Sequence, residues 1–225
     1  MNLFKFIYKS FYKLFRIYNY LQLRIKSYMY NKIYFENFPI IFKDNVKLKI
    51  IKCKNSNFIV KGKLYISSYM NGKEEVYIRI GENSSILIDG DFVLGNGTKI
   101  FLENNANLYI GGKKNESLSG ITKNTTIMVK KQLHIGYDAV ISWDVFITDC
   151  DWHKIEGQSP QEDIFIGNHV WITSGVKILK GSYIGDNCIL GTNSIINSKI
   201  DFENSLIAGN PAKVIKSNIS WSRDL

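Results

Sequence analysis

From residue 164 onward, apolar side chains recur at a fixed step. Counting by six from Ile166 meets Ile172, Ile178, Ile184, Leu190 and Ile196 without a miss. Two residues before each of these six stand Ile164, Val170, Val176, Ser182, Cys188 and Ser194, all small or β-branched. The same pairing appears upstream as Leu133 with Ile135, Ala139 with Ile141 and Val145 with Ile147, and more loosely around Ile80, Ile86, Leu94 and Ile100. Side chains two apart share one face of a strand, whereas a helical stripe returns at three and four. The six-residue step therefore predicts a short strand and a corner, repeated many times. Gly167, Gly185 and Gly191 directly follow the inward residue and are expected to ease those corners. Three such units close one triangular coil, and successive coils stack at strand spacing, about 4.8 Å. A β-sandwich would instead need longer strands of variable length with turn-rich breaks.

The first thirty-five residues follow another rule. Lys5, Lys9, Lys13 and Arg16 recur at helical spacing, with Phe4, Ile7, Phe11, Leu14, Phe15 and Tyr18 on the opposite side. This predicts an amphipathic helix over residues 1–35. Its longest uncharged stretch, Ile17 to Leu23, is far short of the ~20 apolar residues a membrane-spanning helix needs. A lysine every fourth residue also argues against a secretory signal. Charge sharpens the picture. The chain carries a formal net charge of +9, yet residues 1–35 hold seven Lys/Arg and no Asp or Glu, so the remainder is nearly neutral. The basic character is local. It fits peripheral contact with an anionic membrane, or packing on the body of the protein or on a neighbouring copy. No nucleic-acid-binding motif accompanies it. Cys53, Cys150 and Cys188 are widely spaced and odd in number, so neither a disulfide framework nor a cysteine zinc site is expected.

The repeat lapses in three places. Residues 36–70 read as a lead-in of strands or early irregular coils, and residues 111–125 as a polar interrupting loop. The third lapse, TDCDWHKIEGQSPQED between Ile147 and Ile164, is a loop projecting from a rigid body, where chemistry is expected. It holds His153, with Asp149 and Asp151 nearby. A neutral imidazole suits proton abstraction from a hydroxyl, and either carboxylate could orient it, contact an acceptor or cap a turn.

These features resemble the hexapeptide-repeat (left-handed β-helix) acyltransferases, strongly over about residues 124–216 and more weakly from about 60 to 123. The resemblance implies a mainly β fold, a left-handed parallel β-helix over residues 36–216 with a catalytic loop at about 148–163, between the N-terminal helix and a short tail at 217–225. The left hand comes from the family, since crossovers are ordinarily right-handed. The run ISWDVFITDCDWH matches the family segment that ends in a catalytic histidine, which makes His153 the general base. Residue by residue, the resemblance further implies Asn124 and Trp171 at the acceptor and acetyl end. It implies Ser174, Thr192, Asn197 and Ser198 along the coenzyme. Lys213 and Lys216, in the closing motif IAGNPAKVIKS, fall near a coenzyme phosphate. His169 could line the same cleft, and His134 should point outward. The implied donor is acetyl-coenzyme A, bound between subunits of a homotrimer, and Cys150 is not needed as a nucleophile.

The function this implies is O-acetylation of a sugar hydroxyl in bacterial surface polysaccharide, capsule or O-antigen, in the cytoplasm and peripherally at the inner membrane. The alternatives are a small soluble acceptor (serine, a free or amino sugar, an antibiotic) and a non-catalytic β-helix scaffold. Metal-dependent chemistry would need several histidines on adjoining coils, and His134, His153 and His169 offer no close pair, so no metal is expected.

Overall fold

The computed structural model describes residues 2–35, 37, 39–115 and 119–223, with the side chains of residues 2–11 outside that description. The helix α1 (Asn2–Tyr34) is followed by short strands that wind into three parallel sheets. The first face begins at Ile40–Phe42 and ends at Leu206–Gly209. The second runs from Leu48–Lys52 to Ile195–Ile196, and the third from Asn57–Val60 to Lys199–Ile200. Each strand passes the chain to the next face, giving the parallel β-helix expected from the repeat, with the left hand that the resemblance implies. In the last coils Trp171 pairs with Ile189 and Lys177 with Ile195, a rise of one coil per eighteen residues.

Register explains the core. Ile50, Ile78, Ile100, Ile127, Ile147, Ile178 and Ile196 stack directly over one another on the second face. All seven are buried. Burying one such side chain is worth about 1.5–3 kcal/mol, so the aliphatic column is the main source of cohesion between coils.

Three expectations are refined. Of the two readings of residues 36–70, coils are present from Ile40: Ile40–Phe42 pairs in parallel with Leu64–Ser67, and Leu48–Lys52 with Val76–Ile80. The six-residue step is hidden there because the corners are longer. In residues 111–125 the strands Asn107–Gly112 and Gly120–Lys123 reach into the expected loop from both sides, and the Asp138 carboxylate receives the Lys114 and Asn115 N–H groups just beyond the first of them. Residues 116–118 of that loop lie outside the described residues. Finally, Gly167 and Gly185 do not supply the corner's left-handed residue. That residue comes two later, at His169 (φ 53°) and Asn187 (φ 59°). The glycines are needed because coils touch there: a Cβ on Gly167 would lie 2.3 Å from Asp186 Oδ1, and one on Gly185 2.4 Å from the Phe202 carbonyl oxygen.

Both ends of the solenoid are covered. Side chains of α1 satisfy the open strand edge of the first coil. Asn31 Nδ2 donates to the Ile40 carbonyl and its Oδ1 accepts from the Ile40 N–H, both at 2.8 Å. Ser27 Oγ accepts from Phe42 N–H at 3.0 Å, and Tyr30 donates to the Leu48 carbonyl at 2.6 Å. At the far end, Ala212–Lys216 folds back antiparallel on Leu206–Gly209 after a cis Asn210–Pro211 bond. The chain then returns along the first face. Trp221 stacks on His169 with ring centroids 4.0 Å apart, and Arg223 reaches a shallow groove lined by Tyr69, Gly95, Gly120 and Val140.

Candidate active site

The strand Phe146–Thr148 leaves the second face at the edge it shares with the third, and the chain rejoins the solenoid at Ile164–Ile166. The excursion between them has a two-stranded neck. Cys150 and Gln161 form an antiparallel bridge, Asp151 N–H donates to the Pro160 carbonyl at 2.8 Å, and Glu162 N–H to the Asp149 carbonyl at 3.0 Å. Trp152 sits at φ 65° and donates its indole N–H to Thr148 Oγ1 at 3.0 Å. His153 follows on the exposed crown. The imidazole is thus carried by a braced loop and open to a ligand, the arrangement a proton acceptor needs.

The two carboxylates have other partners. Asp149 is buried, and its oxygens accept the backbone N–H groups of Lys130, Lys131 and Gln132 at 2.7–2.8 Å. Burial pushes its carboxyl up from the usual range, and those three donors pull the other way. Asp151 pairs with Lys180 at 2.6 Å. Neither carboxylate is hydrogen-bonded to His153. Asp149 fastens the loop to the coil before it, and Asp151 fastens it to the coil after. Lys180, which also donates to the Ser159 carbonyl, escaped the sequence reading. Its only sequence signal is a lysine at the same corner one coil on.

Asn197 and Ser198 lie on this same edge two coils beyond the loop, both exposed. The other site residues do not join them. Asn124, Ser174 and Thr192 lie at the edge between the first and second faces, where Thr192 Oγ1 is 3.3 Å from Thr173 Oγ1. Trp171 stands on the first face, its indole N–H 3.4 Å from Ser142 Oγ and its ring 5.8 Å from that of Trp221. Lys213 and Lys216 are exposed on the final hairpin. The residues expected at the site therefore fall in two groups, on edges separated by the width of the second face.

The remaining histidines sit elsewhere. His134 points outward in a half-buried stack between Tyr109 and Phe165 at 4.6 and 4.7 Å, and burial lowers its pKa. His169 occupies the third edge, covered by Trp221. Trp221 itself was not anticipated, because nothing in SNISWSRDL signals which surface it meets. Among the described residues, no group of three or more His, Cys, Asp or Glu gathers where it could hold a metal ion.

Comparison with known proteins bears on this arrangement. Residues 163–198 match the family described as bacterial transferase hexapeptide (six repeats). The chain is 31% identical over 154 residues to a polysialic acid O-acetyltransferase of Neisseria meningitidis, the match covering 66% of this chain and 70% of that protein. It is 29% identical over 153 residues to a polysialic acid O-acetyltransferase of Escherichia coli O1:K1, covering 65% of this chain and 45% of the relative. The crystal structure of the polySia-specific acetyltransferase NeuO superposes with a TM-score of 0.55 at 25% identity, over 81% of this chain and 91% of that one. The chain spans about half the length of several of the curated relatives it matches.

Proposed function

Because this chain belongs to the bacterial hexapeptide-repeat transferases, we propose that it is an acetyl-CoA-dependent O-acetyltransferase acting on a sugar hydroxyl of a bacterial surface polysaccharide, capsule or O-antigen. The observation that carries this reading is His153, alone on a braced and exposed loop, in a chain similar to proteins named polysialic acid O-acetyltransferases. His153 takes the proton from the acceptor hydroxyl as its oxygen attacks the thioester carbonyl. The C–S bond then breaks, and the departing sulfur of coenzyme A receives the proton from the imidazolium. Asp149 and Asp151 act as positioning residues, through the loop they anchor, and not by contact with the ring.

The division of the site supports a homotrimer. Laying the edge that holds Asn124, Ser174 and Thr192 of one copy against the His153 edge of the next would bring acceptor, thioester and base together. The coenzyme would then lie between copies, touched by Asn197 and Ser198 from one side and by Ser174 and Thr192 from the other, with Lys213 and Lys216 toward its phosphates. No helix among the described residues is long and apolar enough to cross a membrane. The basic α1 supports peripheral attraction to anionic lipid at the cytoplasmic face, beside lipid-linked saccharides.

The test is His153→Ala. Acetyl transfer should fall about 10²–10⁴-fold with thermal stability unchanged, and the surface glycan should lose its acetyl groups by mass spectrometry. Unaltered glycan acetylation in that variant would remove His153 from the reaction.

A further inference from the structure

A second excursion leaves the solenoid on the edge that carries Asn124. Eight residues, 68–75, join Leu64–Ser67 to Val76–Ile80, whereas three join Phe92–Gly95 to Lys99–Leu102 and two join Gly120–Lys123 to Thr126–Val129. Polar groups hold it in place. The buried Asn96 accepts the Tyr69 N–H through Oδ1 at 2.8 Å and donates through Nδ2 to Glu74, near the other end of the excursion. Asp44 Oδ2 accepts the Ser68 N–H at 2.7 Å and the Ser67 hydroxyl at 2.9 Å. Ser68 Oγ donates to the Gly72 carbonyl at 2.9 Å. What this frame presents is an aromatic ring. Tyr69 reaches past the intervening coils and stacks on Trp143, with ring centroids 5.9 Å apart and planes 15° from parallel. Both rings remain open to solvent, Tyr69 at 39% and Trp143 at 40%. Tyr69 also walls a shallow trough of about 200 Å³ on the first face, floored by Gly95, Gly120 and Thr122, with Arg223 at its rim.

We propose that Tyr69 and Trp143 form a sugar-stacking subsite for the acceptor glycan, holding a pyranose ring beside the one that is acetylated. It rests on the reading that the acceptor is a saccharide, and names where the rest of that chain lies. The excursion is already fixed by its hydrogen bonds, so rings this exposed are not needed to hold it. The C–H face of a pyranose suits the electron-rich face of Trp or Tyr, while the sugar hydroxyls stay in water or meet polar side chains. A stacked pair leaves the outer face of each ring for such a contact. Position selects the occupant. Trp143 pairs with Lys123, so it stands beside Asn124, the residue expected at the acceptor. Tyr69 extends the aromatic surface from there toward the earlier coils. Ser174 and Thr192, expected along the coenzyme, lie on the coils that follow. The rings therefore continue the site on its acceptor side and away from the coenzyme. Thr122 and Arg223 offer polar groups to sugar hydroxyls along the trough.

Steady-state kinetics on the full-length protein tests this. The probe is the surface polysaccharide of the bacterium that encodes the chain, stripped of acetyl groups by mild base and partly hydrolysed into pools of graded length. The unaltered protein should use long pools more efficiently than single repeat units. Tyr69→Ala and Trp143→Ala should each raise KM for the long pools about tenfold, the effect of uncovering ~50 Å² of apolar ring face. KM for acetyl-CoA should not move, and Tyr69→Phe, which keeps the ring, should restore KM for the glycan. A Tm within about 3 °C of the unaltered protein marks an intact fold. Where Trp143→Ala melts lower than that, Tyr69→Ala and its rescue by Phe decide. Unchanged glycan KM in the folded Ala variants overturns the subsite. So does a rise in KM for acetyl-CoA instead, which assigns the rings to the coenzyme. Dissociation seen by light scattering also overturns it, and assigns them to contact between copies. No transfer to any pool by the unaltered protein rejects the polysaccharide reading itself, and the subsite with it, before any variant is compared.

Discussion

At the scale of single residues, the two carboxylates beside His153 show how a partner is chosen by three-dimensional neighbours. The loop was legible because the repeat lapses there, and His153 was legible as its imidazole. The task of Asp149 was not, because the N–H groups it receives belong to Lys130, Lys131 and Gln132, on the preceding coil. Buried carboxylates are tolerated where such charge-assisted bonds compensate lost hydration. Another acid, Asp89, gives a pH prediction. The Lys61 ammonium at 2.6 Å and then the Tyr137 hydroxyl hold its carboxyl below the ordinary 3.8. Its stabilising contribution is therefore complete above the unfolded value and lost as pH falls through the depressed folded value. Replacing Asp89 with Asn should flatten the acid limb of a plot of Tm against pH, leaving neighbouring carboxylates to set what slope remains.

The helix α1 illustrates what element-level patterning reveals and conceals. Its amphipathic character is plain in the sequence, but not which side docks. An apolar stripe is the ordinary choice for packing, yet here the surface to be covered is a strand edge with unpaired N–H and C=O groups. Such an edge needs hydrogen-bonding side chains more than hydrophobic ones, and Ser27, Tyr30 and Asn31 provide them. Asn31 is the test case, since it is buried and serves both polar groups of Ile40. Asn31→Leu should cost about 2 kcal/mol or more in urea unfolding, because two backbone groups lose their partner inside the protein. An unchanged transition midpoint would mean that water replaces the side chain there.

For the molecule as a whole, the late coils were readable from the sequence and the early ones only in part. Corners between Ile166 and Ile196 keep one length, so the step survives, whereas corners before Ile135 vary and blur it. The placement of the expected site residues on two edges was invisible at any sequence scale, because it depends on which face each strand occupies. It leads to a mixing experiment. His153→Ala and Asn124→Asp chains, each expected to be impaired alone, should regain activity when co-assembled in equal amounts. About a quarter of the sites would then pair an unaltered Asn124 edge with an unaltered His153 edge, whereas sites contained within one chain would recover nothing. The parallel register has a longer reach. Because Trp171 to Ile189 is one whole turn of the prism, a gene that gains or drops eighteen codons there leaves every remaining contact of the same kind. The furrow between neighbours would lengthen or shorten by one rung, about 4.8 Å, so descendants of this architecture can be retuned to longer or shorter ligands in discrete increments, as on a ruler.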